Sequence, residues 1–132
     1  MTRGLPPLEG QDFTDKIVLA DACYGGNPYR AEGESLPILF LRNGAVAFFG
    51  STTSALANRK VSAQNFDDER EILALGSSTA LHYRVLKGLA QGERIGDAVK
   101  AARREMQYGN AADELTAIQY VLYGDPTLRT GS

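Results

Sequence analysis

Two short apolar runs without polar interruption mark the first half of the chain. They occupy Ile17–Ala20 and residues 45–49, and glycines follow both within a few positions. Continuous apolar runs of this length are typical of strands buried on both faces of a sheet. We therefore predict two buried strands with a connecting segment between them.

The connection between these runs has the pattern of a short helix over residues 34–42. Pro37 falls in its first turn, where a missing amide proton costs least, and Asn43-Gly44 supplies a left-handed stop. The predicted inward face is Leu36, Leu39 and Phe40. A strand, a helix and a second strand joined by short connections predict a right-handed βαβ unit with a parallel strand pair.

Helical periodicity dominates the second half of the chain. One helix is predicted from a cap at Ser77 or Ser78 to about Ala90, and another over residues 95–108. The expected buried stripe of the first is Leu81, Val85 and Leu89, and that of the second is Ile95, Ala98, Val99, Ala102 and Met106. Leu115, Ile118 and Leu122 suggest a short final helix, although residues 118–123 fit an extended strand equally well.

Composition limits the possible classes of protein. The chain has 132 residues, 43% of them hydrophobic, and a formal net charge of -2. These values fit one soluble globular domain and argue against nucleic-acid or membrane-surface partners, which basic clusters would attract. The first residues lack the apolar core of a signal peptide and no run reaches the length of a membrane span, so the compartment stays open.

The chain contains one cysteine and one histidine. A single cysteine excludes an internal disulfide, and the pair is too small a set for a zinc cluster. No acidic spacing resembles a calcium loop. We therefore expect no metal and no other cofactor.

Cys23 lies where the first strand must give way to a turn, immediately before Tyr24-Gly25-Gly26. A free cysteine is most often a small buried hydrophobe, and that is the alternative interpretation. A buried cysteine would lie within the apolar run, however, and Cys23 follows it. Because ligands and chemistry collect at the carboxyl edge of parallel strands, Cys23 is the candidate reactive residue.

A run of small polar residues, Ser51 to Ser54, follows the second strand at the same predicted edge. It either lines a substrate pocket or satisfies local backbone groups, and the pattern supports both equally. The polar segment 55–75 is a candidate lid or specificity loop. His82 shares a helix face with Leu86 and Leu89, which favours a structural or surface role over that of a mobile base.

The turn sequence Ala22-Cys23-Tyr24-Gly25 after a buried strand resembles the nucleophile turn of caspase-fold cysteine peptidases. The chain is also similar to gingipain-type peptidases and the related CHAT domains at Ser35-Leu36, at NGAVAFFGS (43–51) and at DAVKAAR (97–103). YGDPTL at 123–128 resembles the closing segment of the gingipain type. The resemblance implies a caspase-like three-layer α/β sandwich with a mainly parallel sheet. It also implies that Cys23 is the nucleophile of a cysteine endopeptidase.

The same resemblance assigns further roles at the site. It implies that the Cys23 amide is an oxyanion donor, with backbone of Gly25 contributing, and that Tyr24 and the four residues Ser51, Thr52, Thr53 and Ser54 line the substrate pocket. In that family a histidine followed by glycine precedes the cysteine strand. No histidine precedes Cys23 here, so the catalytic base is expected upstream of this chain.

Two or three strands make up only half of such a sheet, and they leave an apolar strand edge free to pair with another strand. We therefore expect residues 1–15 to be an extended leading segment and residues 16–132 to be the carboxyl-terminal half of a caspase-like domain, inactive by itself. Its expected partners are a polypeptide substrate and either the upstream half or a second copy. The alternatives are a non-catalytic caspase-like interaction module, in which Cys23 is incidental, and a small-ligand binding α/β domain, for which no phosphate-binding fingerprint is present.

Overall fold

A three-stranded sheet forms the centre of the computed structural model, which describes residues 10–29, 35–55 and 67–130. The strands are β1 (Ile17–Ala20), β2 (Ala47–Ser51) and β3 (Tyr120–Gly124), with β2 in the middle. β1 and β2 pair in parallel, as the sequence predicts, but β3 pairs antiparallel to β2. The sheet is therefore mixed, and the expectation of a mainly parallel sheet is wrong for the part of the chain described. The residues of a strand do not show whether it will run parallel or antiparallel to its neighbour. The direction of β3 could therefore not be predicted from its own sequence.

The described ranges contain five helices around this sheet. They are α1 (Leu36–Arg42), α2 (Glu69–Ala74), α3 (Ser77–Ala90), α4 (Ile95–Met106) and α5 (Ala111–Gln119). α1 ends at Asn43-Gly44 as predicted, and Gly44 has the left-handed φ of 101°. Its predicted first residue, Glu34, lies outside the described residues.

Alternate residues of the strands face two different layers. Phe49 and Leu122 pair across β2 and β3 and pack into the main core with α3, α4 and α5. Phe48 and Tyr123 pair on the opposite face, where Phe48 contacts Phe40 of α1 at a ring distance of 5.6 Å. Helices thus lie on both faces of the sheet.

β1 is less covered than the sequence predicts. All five residues of β2 are buried, whereas all four residues of β1 are only partly buried. Within the described part of the chain β1 pairs with β2 alone, so its other edge has no neighbouring strand. A strand at the edge of a sheet leaves its side chains less enclosed than a central one, and the prediction of a doubly buried first strand is wrong for that reason.

The predicted helix stripes are confirmed for α3 and α4. Every residue expected to face inward on these two helices is buried, from Leu81 to Met106. The predicted serine cap of α3 is wrong, because Gly76 is the N-cap and Ser77 is the first helical residue. The Ser77 N–H instead donates to Asp113 Oδ1 of α5 at 2.7 Å, a tertiary cap that no local pattern reveals.

The final segment forms both of the structures that the sequence left open. α5 ends at Gln119 and β3 begins at the next residue. Leu115 and Ile118 are exposed, and the buried residues of α5 are Thr116 and Ala117.

Of the candidate lid, residues 56–66 lie outside the described part, and the remainder includes α2, whose N-cap Asp68 accepts from the Arg70 N–H at 3.0 Å. Among the described helices, none has the length and apolar character needed to cross a membrane.

Candidate active site

The chain leaves β1 through a compact turn that contains Cys23. The Gly25 N–H donates to Ala22 O at 3.1 Å, and the Asn27 N–H donates to Tyr24 O at 3.1 Å. Tyr24 has a left-handed φ of 56°, which is uncommon for a residue with a side chain. Strained backbone of this kind persists where surrounding contacts enforce it, and it often occurs at functional sites.

The Cys23 turn is held in place by hydrogen bonds to the end of β2 and the segment that follows it. The Tyr24 N–H donates to Thr53 O at 2.7 Å, and the Gly26 N–H donates to Ser51 O at 2.7 Å. Gly26 and Gly50 touch backbone to backbone, because a Cβ built on Gly50 would lie 2.8 Å from Gly26 N. The Cys23 turn and the segment 51–54, which the sequence places at one edge of the sheet, are therefore hydrogen-bonded to each other.

The thiol of Cys23 is exposed at this edge. The Ala55 N–H donates to Cys23 Sγ at 3.3 Å, so a backbone donor already faces the sulfur. Among the described residues, the N–H of Cys23 has no hydrogen-bond acceptor. The Gly25 N–H, in contrast, is used within the turn.

The predicted pocket residues differ in what their side chains do. Ser51 is buried and its hydroxyl donates to Thr53 O at 3.0 Å, while the Thr52 hydroxyl donates to Gln119 O at 3.1 Å. Thr53, Ser54 and Tyr24 are exposed beside the thiol turn. One hydroxyl therefore satisfies a local backbone carbonyl and another a carbonyl at the end of α5, and three side chains are open to a bound molecule.

Two tyrosine hydroxyls from β3 reach this turn, and sequence reasoning missed both. Tyr120 donates to Asp21 Oδ1 at 3.3 Å, and Tyr123 donates to Gly26 O at 2.7 Å. Burial, followed by the charge of Asp21, raises the pKa of Tyr120. Burial also raises the pKa of Tyr123. Both hydroxyls thus remain protonated donors in the neutral pH range.

His82 lies in the core below the turn. It is 7% exposed, its Nδ1 lies 2.8 Å from Ser78 O, and its ring meets Tyr120 edge-on at 4.9 Å. Because a carbonyl only accepts, Nδ1 carries the proton. Nε2 is buried without a hydrogen-bond partner among the described residues. This burial agrees with the predicted structural role of His82.

A groove runs along the free edge of β1, between that strand and α3. Its volume is about 1070 Å³. Apolar side chains supply much of its lining, and Asp21 and His82 also contribute to it; the apolar ones are Ile17, Leu19, Val46, Leu86, Leu89, Ala90 and Leu128. No group of three or more His, Cys, Asp or Glu side chains within the described ranges is arranged to hold a metal ion.

An exposed thiol on a constrained turn, at the carboxyl edge of two parallel strands in an α/β fold, is the arrangement of a candidate cysteine-dependent hydrolase. The chain belongs to peptidase family C25, the gingipain family of cysteine peptidases, because the model of that family matches residues 11–131. Neither the curated proteins nor the solved structures include a significant match to the chain.

Proposed function

We propose that the protein is a cysteine endopeptidase domain in which Cys23 is the nucleophile. The observation that carries this proposal is the position of the thiol, which is exposed on a strained turn fixed by hydrogen bonds to the segment after β2. The family match supports the same chemistry. A buried cysteine in the core would have argued against it.

The proposed reaction is acyl transfer through the sulfur. The Cys23 thiolate attacks the peptide carbonyl, the carbonyl oxygen becomes an oxyanion, and the amine leaves with a proton from the base. Water then hydrolyses the thioester and restores the thiol. The Cys23 N–H, which has no acceptor among the described residues, is the proposed oxyanion donor, while the Gly25 amide is used inside the turn and contributes backbone shape only.

Exposed side chains next to the thiol are the proposed contacts for the peptide substrate. Tyr24, Thr53 and Ser54 are accessible there. Ser51 and Thr52 form the backing of this wall, since their hydroxyls bond to backbone carbonyls.

The base is proposed to be a histidine in polypeptide upstream of this chain. His82 is the one histidine in the sequence, and its ring packs edge-on against both Phe49 and Tyr120 with Nδ1 bonded to Ser78 O. A ring held in this way cannot swing between the thiol and a leaving group. We therefore expect the chain to lack peptidase activity by itself.

The free edge of β1 is the proposed place where that upstream half joins. The chain would then be the carboxyl-terminal half of a caspase-like three-layer domain related to CHAT domains. Support comes from the partly buried apolar side chains of β1 and the groove beside them, which an added strand and its covering helix would fill. Nucleic acids and membranes are not proposed as partners.

Alkylation of Cys23 by iodoacetamide across pH tests this function. It is measured by mass spectrometry on this chain and on a form extended upstream, with Cys23→Ser as the control that takes no label. We expect faster alkylation near neutral pH, and casein cleavage, only in the extended form. Equal pH profiles for the two forms, without cleavage, would overturn the peptidase proposal.

The open edge favours one other function, a caspase-like interaction module. In that case the extended form would still pair along β1, but Cys23→Ser would change neither pairing nor any measurable activity. The two proposals therefore differ in the effect of Cys23→Ser on casein cleavage.

A further inference from the structure

We infer that Tyr120 and Tyr123 of β3 are positioning residues that hold the Cys23 turn from the two faces of the sheet. Neither touches the thiol in the contacts described above. Tyr120 acts through Asp21 and Tyr123 acts through Gly26, the residues on either side of the cysteine segment. The catalytic consequence of this arrangement rests on the proposed function, but the arrangement itself does not.

The Tyr120 hydroxyl is placed by the main core. Tyr120 is fully buried, with its ring stacked on Phe49 at 5.2 Å and met edge-on by His82 at 4.9 Å. Its backbone carbonyl also accepts a hydrogen bond from Arg103. The ring therefore has one available position, and in that position the hydroxyl reaches Asp21 Oδ1 at 3.3 Å.

The Tyr123 hydroxyl reaches the turn from the other side of the sheet. Residues three apart in a strand point to opposite faces, so Tyr123 lies with Phe48, at a ring distance of 6.5 Å, and not with Phe49. Its hydroxyl donates to Gly26 O at 2.7 Å. The N–H of the same glycine donates to Ser51 O, so both polar groups of Gly26 are fixed.

Together the two tyrosines fix where the chain enters the turn and where it leaves. Asp21 is two residues before Cys23 and Gly26 is three residues after it. Between them the strained Tyr24 backbone is held by the hydrogen bond to Thr53 O. Replacing either tyrosine by phenylalanine keeps the ring and removes only the hydroxyl, which in Tyr120 also hydrogen-bonds the Ser78 side chain of α3. Small displacements of a nucleophile reduce its reactivity strongly, which gives this clamp its function.

Hydrogen exchange of the turn tests the clamp without reference to peptidase activity. Tyr120→Phe, Tyr123→Phe and the double variant are compared by mass spectrometry, using a peptide that covers residues 21–27. We expect each single variant to exchange about fivefold faster in this peptide, as expected for losing one ordinary hydrogen bond, and the double variant to exchange faster still.

Two controls separate a local effect from general loss of stability. Val99→Ala removes buried volume from α4, and Tyr108→Phe alters a tyrosine that is 82% exposed. Exchange in residues 21–27 should be unchanged in both. Unchanged exchange in the two clamp variants, or an equal increase in Val99→Ala, would overturn the inference.

Iodoacetamide labelling provides the second measurement, because it reports on the thiol itself. A loosened turn withdraws Cys23 Sγ from the Ala55 N–H that now faces it, so labelling at pH 7 should be slower in both clamp variants and unchanged in Val99→Ala. Failure of the peptidase proposal would leave these exchange and labelling results as they are. Failure of the clamp would leave casein cleavage by the extended form intact.

Discussion

Gly26 is the residue that lets the thiol turn lie directly on β2. A Cβ at this position would collide with the carbonyl group of Gly50, whereas a Cβ on Gly25 would meet Ala22 O at 3.2 Å. We therefore expect Gly26→Ala to lower the free energy of unfolding by about 1–3 kcal/mol, the usual cost of overpacking, and to displace the turn. Gly25→Ala is the matched control with the milder contact. Urea denaturation should show the larger loss for Gly26→Ala, and equal losses would contradict the prediction.

The Tyr120 hydroxyl should make stability depend on alkaline pH. Burial and the charge of Asp21 raise the pKa of Tyr120 above the ordinary value of 10.0. Well below pH 10 the hydroxyl is protonated in both folded and unfolded chains, so stability is unaffected. As pH rises further, the unfolded chain ionises while the folded one resists, and stability is lost.

Thermal unfolding followed between pH 8 and about pH 11 measures this effect. The decline in melting temperature above pH 10 should be shallower for Tyr120→Phe than for the unaltered chain. Tyr108→Phe, at an exposed position, should decline as steeply as the unaltered chain. A parallel decline in all three would show that Tyr120 does not contribute.

At the scale of elements, Asp113 joins the beginnings of α3 and α5. Its Oδ1 accepts from the Ser77 N–H at 2.7 Å, and its Oδ2 accepts from the Asn110 N–H at 3.4 Å in the capping box of α5. The Asp113 carboxylate thus caps its own helix, α5, and also α3, whose first residue lies 36 positions before Asp113. Both helix starts depend on this side chain.

We expect Asp113→Ala to lower the free energy of unfolding by about 1–2 kcal/mol, the upper part of the range for a lost N-cap. Asp113→Asn, which keeps an acceptor oxygen, should lose less. Asp97→Ala, at an exposed position in the first turn of α4, is the control and should change stability by only a few tenths of that amount. Guanidinium denaturation compares the three, and an equal effect of Asp97→Ala would refute the special role of Asp113.

At the scale of the whole molecule, coverage of the sheet is uneven. β2 is buried along its full length, but β1 has one free edge among the described residues, with Leu86 of α3 54% exposed beside the groove. Apolar edges of this kind tend to pair with other chains. When no other polypeptide covers the edge, the chain should associate with itself.

Sedimentation velocity over a range of concentrations tests this expectation. Leu86→Gln should weaken association, because it places an amide in the groove. Ile118→Gln is the control, since Ile118 is 75% exposed on α5 and does not line that groove. A chain that stays monomeric at every concentration, or an equal effect of the two substitutions, would contradict self-association through the β1 edge.

The amino-acid sequence by itself determined the local elements and the place of the thiol. Unbroken apolar runs located β1 and β2 to within two residues, and helical periodicity identified the buried stripes of α3 and α4. The turn after β1 was predictable because a cysteine followed by Tyr24-Gly25-Gly26 cannot continue a strand. In each case the signal lies within a few residues, which is the range over which propensity and periodicity act.

Only the tertiary structure decided what depends on distant parts of the chain. The antiparallel direction of β3, the capping of Ser77 by Asp113 and the free edge of β1 are examples. The hydroxyls of Tyr120 and Tyr123 reach residues that are 99 and 97 positions away. Such contacts depend on how the helices and strands pack together, so they cannot be predicted from the residues adjacent in sequence. The sequence therefore specified where the candidate nucleophile lies, and the packing of β3 against β2 specified what holds it there.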